Sequence, residues 1–266
     1  MAMGSKAFES PLMSHARMRA LYRGLVEVRT LLGKKHGARG LEAAWVATAM
    51  DLQQGDLIGD AGTSSEADLL GHIRSIGERT GADAPLSGNI KRLRKQLAVV
   101  APESFPGDEA DRLIYSAGAA MALQAAGQER IVMAYTGCSA IATKDWLRVL
   151  RVIGQRGLPI VIMAMPGAAT RDLEALAQKI ATKPNQAVPI IPIIPVDGGD
   201  VVALYRVAQE TIGRARAGGG SAIIAAVDLR TDPIKLLGSQ LVKKRICTER
   251  WVQAVEPHFR KLLRDA

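Results

Sequence analysis

From Asp111 onward the chain repeats one unit, a short apolar run followed by a longer stretch of helical period. The runs are Ile131–Tyr135, Pro159–Met165, Ile190–Val196 and Ala222–Val227. Helical stretches at Thr143–Gln155, Arg171–Ala181 and Asp200–Ala217 separate them, and a small-residue helix, Asp111–Ala126, precedes the first and ends at Gly127. Runs this apolar leave no polar face for water, so they predict strands covered on both sides. Covered strands alternating with helices mean crossover units and parallel pairing. The expected class is α/β, a mostly parallel central sheet with helices on both faces. Pro189, Pro192 and Pro195 each remove a ladder donor, which puts their run at a sheet edge or makes it an extended approach to Asp197.

The flanks are read the same way. Met18, Leu21, Tyr22, Leu25, Val28 and Leu32 recur at three- and four-residue steps, one face of a helix ended by Gly33. A second helical run, Glu42 to Gln54, closes at Gly55. The stretch Gly59 to Gly107 is weakly patterned and is expected to hold short helices and loops. A last amphipathic helix is expected over Thr248–Leu263. The 266 residues are expected to form one domain, 1–266, with an N-terminal helical extension (1–60) and a C-terminal helix (248–264).

Net charge is +9, with basic clusters at Lys91–Lys95 and Lys243–Arg245. Only 4% of residues are aromatic, too few for a platform that stacks single-stranded bases. No helix-turn-helix, zinc-finger or RNA-binding signature occurs, which argues against nucleic acid as a partner. No apolar run reaches the roughly 20 residues that span a bilayer. The two cysteines, Cys138 and Cys247, have neither disulfide-framework nor metal-ligand spacing. With no secretory apolar segment near the N-terminus, they lead to the expectation of a cytoplasmic protein.

In parallel α/β sheets ligands bind beyond the carboxyl ends of strands. The first such end here is Tyr135-Thr136-Gly137-Cys138-Ser139-Ala140. With its surroundings it resembles the alpha subunit of the thiamine-diphosphate-dependent 2-oxo acid dehydrogenases, the pyruvate and branched-chain type. Leu21-Tyr22-Arg23 through Arg29 is similar to that family's opening helix, and Gly40-Leu41-Glu42-Ala43 to its Gly-Gln-Glu-Ala. Ser116–Leu123 resembles the small-residue helix before the cofactor turn, and Leu158-Pro159-Ile160-Val161 the strand opening Leu-Pro-Val-Val. Val196-Asp197-Gly198-Gly199-Asp200 resembles Val-Asp-Gly-Asn-Asp, and Ala222 to Arg230 a strand that ends near a tyrosine-arginine pair. The resemblance implies a thiamine-diphosphate-binding fold. It also implies a partner, either a beta-subunit-like chain or a second copy, with the helix Asp111–Ala126 in the contact.

The departures bear on chemistry. The family holds magnesium and thiamine diphosphate with a Gly-Asp-Gly turn and, one helix and strand later, paired asparagines. Aligned on Gly137, this chain has Cys138 for the aspartate, Ser139 for the second glycine and then Ala140, with Pro166-Gly167 for the asparagines. Magnesium takes hard oxygen ligands in near-octahedral array, and a protonated thiol is a poor substitute. Proline offers no side-chain carbonyl. The family's Tyr-Arg-x-His-Gly and Gly-Gly-x-Met-His segments have no counterpart, and His72 lacks the motif around it. The expectation is therefore no cofactor and no metal for this chain, with catalytic residues unknown. Gly137, Cys138, Ser139, Ala140, Pro166 and Gly167 are the degenerate cofactor-turn positions. Three functions stay open: an alpha-subunit-like protein without the reaction but with an assembly or interaction role; a working thiamine-dependent alpha subunit acting with a beta subunit; or a small-anion binder using the backbone N–H groups of the Gly137 turn.

Overall fold

The computed structural model describes residues 13–32, 41–59, 70, 73–74, 76, 98–100, 109–137, 144–165, 191–227 and 230–265. In chain order the elements are α1 (His15–Leu32), α2 (Glu42–Ala49), β1 (Leu57–Gly59), β2 (Ala98–Val100), α3 (Glu109–Ala125), β3 (Val132–Gly137) and α4 (Lys144–Arg156). They continue with β4 (Ile160–Met165), β5 (Ile193–Asp197), α5 (Val201–Arg216), β6 (Ala222–Val227), α6 (Pro233–Lys243) and α7 (Glu249–Asp265).

The strands form one six-stranded sheet in the order β2-β1-β3-β4-β6-β5, and every neighbouring pair is parallel. Side chains alternate across it. Met133, Tyr135, Val161, Met163, Ile224 and Ala226 join the core beneath α1, α2 and α5. Val132, Ala134, Ile160, Ile162, Ala164, Ile223 and Ala225 join the core beneath α3 and α4. Both faces are dry, which is why these strands read as unbroken apolar runs. The α/β class and parallel central sheet stand as expected. The proline-bearing run is the edge strand β5, with Pro195 exposed at its outer side.

Three expectations need correction. Gly59–Gly107 was expected to hold helices and loops, yet β1 ends at Gly59 and β2 lies inside that stretch. Strands of three residues are too short to carry a period, so pairing with β3 rather than local pattern defines them. The second helix stops at Ala49, not Gln54. Leu52 N bonds back to Ala49 O in a tighter turn, and Gly55 takes φ 91, which leads the chain out of the helix and into β1. Helix α6 was not expected at all. Its signal was present: Asp232 accepts from the N–H groups of Ile234 and Lys235, and Pro233 occupies the first turn. The helix expected at Arg171–Ala181 and the cluster Lys91–Lys95 lie outside the described residues.

At the amino edge of the sheet, Asp56 is a fully buried hub. Its carboxylate takes two parallel bonds from Arg216 (Nη1 to Oδ1 2.9 Å, Nη2 to Oδ2 2.7 Å) and also accepts from Ile131 N and Gln53 N. Arg216 Nη1 also reaches Glu129 O at 3.0 Å. One carboxylate thus ties the starts of β1 and β3 to the end of α5, and every oxygen it buries has a donor.

Candidate functional site at the carboxyl edge

The strand order turns on β1. The chain leaves β1 for β2 on one side, and β3 lies on the other. Such a reversal opens a crevice between the carboxyl ends of the two strands, the usual ligand position in open parallel sheets. Gly59 and Gly137 end those strands. Gly137 pairs with Met165, so the chain leaves β3 and β4 from adjacent strand ends. The two segments that resemble parts of the cofactor motif therefore start side by side, roughly 4.8 Å apart. Of the six candidate positions, Gly137 is described, half-buried at the end of β3. Cys138, Ser139, Ala140, Pro166 and Gly167 lie outside the described residues, as does His72.

The crevice walls are tightly packed. Gly59 is needed where it stands: a Cβ there would come within 2.1 Å of Ser116 Oγ and 2.8 Å of Ser116 Cβ. Ser116 is fully buried on α3 and donates to Arg112 O at 2.9 Å. On the other face of β3, Tyr135 is buried and its hydroxyl shares a 2.8 Å hydrogen bond with Thr48 on α2. Burial pushes the Tyr135 phenol far above its ordinary value, against the pull of Thr48, so it is a neutral packing group. Neither contact was legible in the sequence. A glycine at position 59 and a helical serine at position 116 are too far apart in the chain to carry a local signal.

Among the described residues, Asp197 and Asp200 at this edge are already engaged. Gly198 N bonds Val227 O at 2.7 Å, Gly199 N bonds Asp197 Oδ1 at 2.8 Å, and Asp200 N bonds Asp197 O at 3.1 Å. Asp200 Oδ1 then caps α5 through Val202 N and Ala203 N, both at 3.0 Å. The Val-Asp-Gly-Gly-Asp element is thus a turn that stops β5 and a cap that starts α5. Gly199 fits because a Cβ there would sit 2.7 Å from Thr231 Cβ and 2.8 Å from Thr231 O.

Arg29 joins the other familiar words. Its Nε donates to Glu42 Oε1 at 2.7 Å, and its Nη1 donates to Asp232 Oδ2 at 2.9 Å. Burial works against the charge on Arg29, but hydrogen bonds to Glu42 and Asp232 more than offset it and raise its pKa. Burial likewise opposes the charge on Asp232, and the Arg29 guanidinium and the α6 backbone donors hold its carboxyl below the usual range. The triad locks α1 to the starts of α2 and α6.

Comparison with known proteins finds likenesses over about half of the chain. Residues 104–233 match the model described as the dehydrogenase E1 component. Over that stretch the chain is similar to this component. It is 31% identical over 135 residues to the 3-methyl-2-oxobutanoate dehydrogenase subunit alpha of Mycobacterium tuberculosis, covering 50% of this chain and 36% of that one. It is 27% identical over 161 residues to the pyruvate dehydrogenase E1 component subunit alpha of Staphylococcus aureus, covering 57% and 42%. The chain thus spans less than half the length of these curated relatives. A transketolase from Pichia stipitis aligns over 93% of this chain and 46% of its own, at 15% identity and a TM-score of 0.47.

The fit of the family's cofactor can be judged on donor chemistry. Magnesium needs oxygen ligands. Among the described residues no group of three or more His, Cys, Asp or Glu is placed to hold a metal. The hydroxyls of Ser116 and Thr136 donate to Arg112 O at 2.9 Å and to Gly137 O at 3.4 Å. By chemistry alone, the thiol of Cys138 and the side chains of Pro166-Gly167 offer no hard oxygen to a magnesium diphosphate. No helix among the described residues is long and apolar enough to cross a membrane.

Proposed function

We propose that this E1-alpha-like chain has lost magnesium and thiamine diphosphate binding and keeps an assembly or interaction role, with 1–266 acting as one thiamine-diphosphate-fold unit. One observation carries the reading: the carboxylates of Asp197, Asp200 and Asp232 at the carboxyl edge are all engaged as turns, caps or ion pairs, so none of them stands in for the missing ligand. Among the described residues, these three carboxylates are thus committed to the fold rather than left over for a hard cation.

The interaction role rests on α3. Its inner face, Leu113, Ala117, Ala120 and Leu123, is buried against the sheet, while Ile114 and Tyr115 are 44% and 38% exposed and are followed by exposed Gly118 and Ala122. Small residues let another backbone approach closely. The proposed occupant is a beta-subunit-like chain or a second copy, in keeping with relatives named as alpha subunits. A second reading, a working alpha subunit completed by its beta subunit, draws on those same names.

Calorimetric titration separates the two. Wild type is expected to show no magnesium-dependent heat with thiamine diphosphate, alone or with a beta-subunit-like chain. Micromolar binding, about 8 kcal/mol, would establish the second reading instead. The triple variant Cys138→Asp, Ser139→Gly, Pro166→Asn is expected to gain affinity that wild type lacks.

A further inference from the structure

A second cavity lies far from the carboxyl edge, between α1 and the turn joining α6 to α7. It encloses about 500 Å³ and is lined by Arg19, Val242, Arg245, Ile246, Cys247 and Trp251, with the Thr248 hydroxyl at one side. That volume is in the range of small-molecule sites. Arg29, ten residues beyond Arg19 on α1, belongs to the triad at the other end, so ~1.5 Å per residue sets the two places roughly 15 Å apart.

The charge of the lining has one sign. Arg19 and Arg245 are among its lining residues, and no Asp or Glu is among those described. Arg19 Nε is buried without a hydrogen-bond partner, while the rest of its guanidinium is shared between a 3.5 Å contact from Nη1 to Ile246 O and the Cys247 thiol. A buried guanidinium donor left unpaired is costly unless a ligand completes it. Arg245 stands at φ 57, the left-handed position that closes many helices and that glycine fills most easily. A long cationic side chain is held there by the backbone turn Arg245 N to Val242 O (2.9 Å) and Ile246 N to Leu241 O (2.9 Å). The first turn of α7 opens on the same space, with Thr248 Oγ1 accepting from Trp251 N at 3.2 Å, and adds its positive dipole end. Burial pushes the Cys247 thiol up against the pull of Arg19, so it contributes no negative charge.

We infer that this cavity binds a phosphate ester, its phosphate held between Arg19 and Arg245 and its organic part against Val242, Ile246 and Trp251. The phosphate follows from paired guanidiniums beside a helix start, a geometry suited to bidentate oxyanions. The organic part follows from size and wall: phosphate alone fills a small fraction of the space, and Val242, Ile246 and Trp251, whose indole packs against Tyr22, give the wall an apolar portion. This site is separate from the Gly137 crevice and does not depend on the fate of thiamine diphosphate there.

The test uses the full chain titrated with ADP, ribose 5-phosphate and adenosine by calorimetry at low salt. Saturable binding of at least one ester, weakened by added salt and absent with adenosine, is expected. Arg19→Met and Arg245→Met should each lower that affinity at least tenfold. Should Arg19→Met fail to fold, Arg245→Met decides alone, since its side chain is exposed. No saturation by either ester up to roughly 1 mM, a weak limit near 4 kcal/mol, overturns the inference. So does affinity for the ester that Arg245→Met leaves unchanged, or adenosine binding as tightly as ADP.

Discussion

The two ends of the sheet are built on different terms. At the amino edge one carboxylate, Asp56, is fully buried and accepts from Arg216, Ile131 N and Gln53 N, binding two strands and a helix together. At the carboxyl edge, among the described residues, Asp197 and Asp200 serve a local turn and a helix cap, and the long-range pair Asp232–Arg29 joins helices rather than strands. The carboxylate that ties strands together thus lies at the end away from the ligand crevice. Ligand positions such as those aligned at Cys138 and Pro166 can change without removing the interactions that hold the sheet. On the proposed reading, the architecture would survive such a replacement for that reason.

The largest expected effect tests that contrast directly. Asp56→Ala leaves Arg216 a mostly buried, unpaired cation and strips Ile131 N of its acceptor. Removing one partner of a buried pair costs about 3–5 kcal/mol. Asp197→Ala, at the opposite strand end, removes one part-buried bond and should cost about 1 kcal/mol. Urea unfolding of the two variants measures both. Equal losses would mean that the carboxyl edge carries as much of the fold as the amino edge, and the contrast would fail.

A smaller effect is expected where the crevice meets α3. Gly59→Ala drives a methyl into Ser116 Oγ, and overpacking of this kind costs about 1–3 kcal/mol. In a Ser116→Ala background the hydroxyl is gone but the Cβ contact at 2.8 Å remains, so the loss should shrink without vanishing. A double-mutant cycle is expected to show coupling of about 0.5–2 kcal/mol. Strictly additive losses would show that β1 and α3 do not meet at this pair.

How far the sequence reached follows from which forces act locally. The strands β3, β4 and β6 were legible because each is a long apolar run buried on both faces, and β5 was placed at an edge by its prolines. Helix α5 was legible from Asp200, which does cap it. By contrast β1 and β2 exist only through pairing with distant residues, and no window of three residues can show that. Helix α6 has a proper start signal in Asp232-Pro233, but its eleven residues, with only Pro233, Leu237, Gly238 and Leu241 buried, carry a weak helical period. The family words were legible as words, but their physical parts were not. Glu42, Arg29 and Asp232 form an ion triad across 203 residues of chain, and only packing brings Arg29 to Asp232. The crevice position of Gly137 was legible from the rule for parallel sheets, whereas the close wall made by Gly59 and Ser116 needed the coordinates.

The smallest effect separates the two faces of α3. Gly118 lies on the outer face, exposed, and a Cβ there would meet nothing within 4 Å. Glycine inside a helix costs about 0.5–1 kcal/mol relative to alanine, mostly through the freedom it keeps in the unfolded chain. Gly118→Ala should therefore raise monomer stability by about that amount in urea unfolding at low protein concentration, the opposite sign from Gly59→Ala on the inner side. If the outer face is the proposed contact, the same methyl hinders close approach of another chain, and sedimentation should report weaker association of Gly118→Ala with a second copy or a beta-subunit-like chain. Gly118→Leu should weaken it further while leaving the monomer fold intact, because the position is open. A stability loss in Gly118→Ala would mean that this face is not open in the monomer. Unchanged association in Gly118→Leu would remove α3 from the contact and leave the interaction role without its surface.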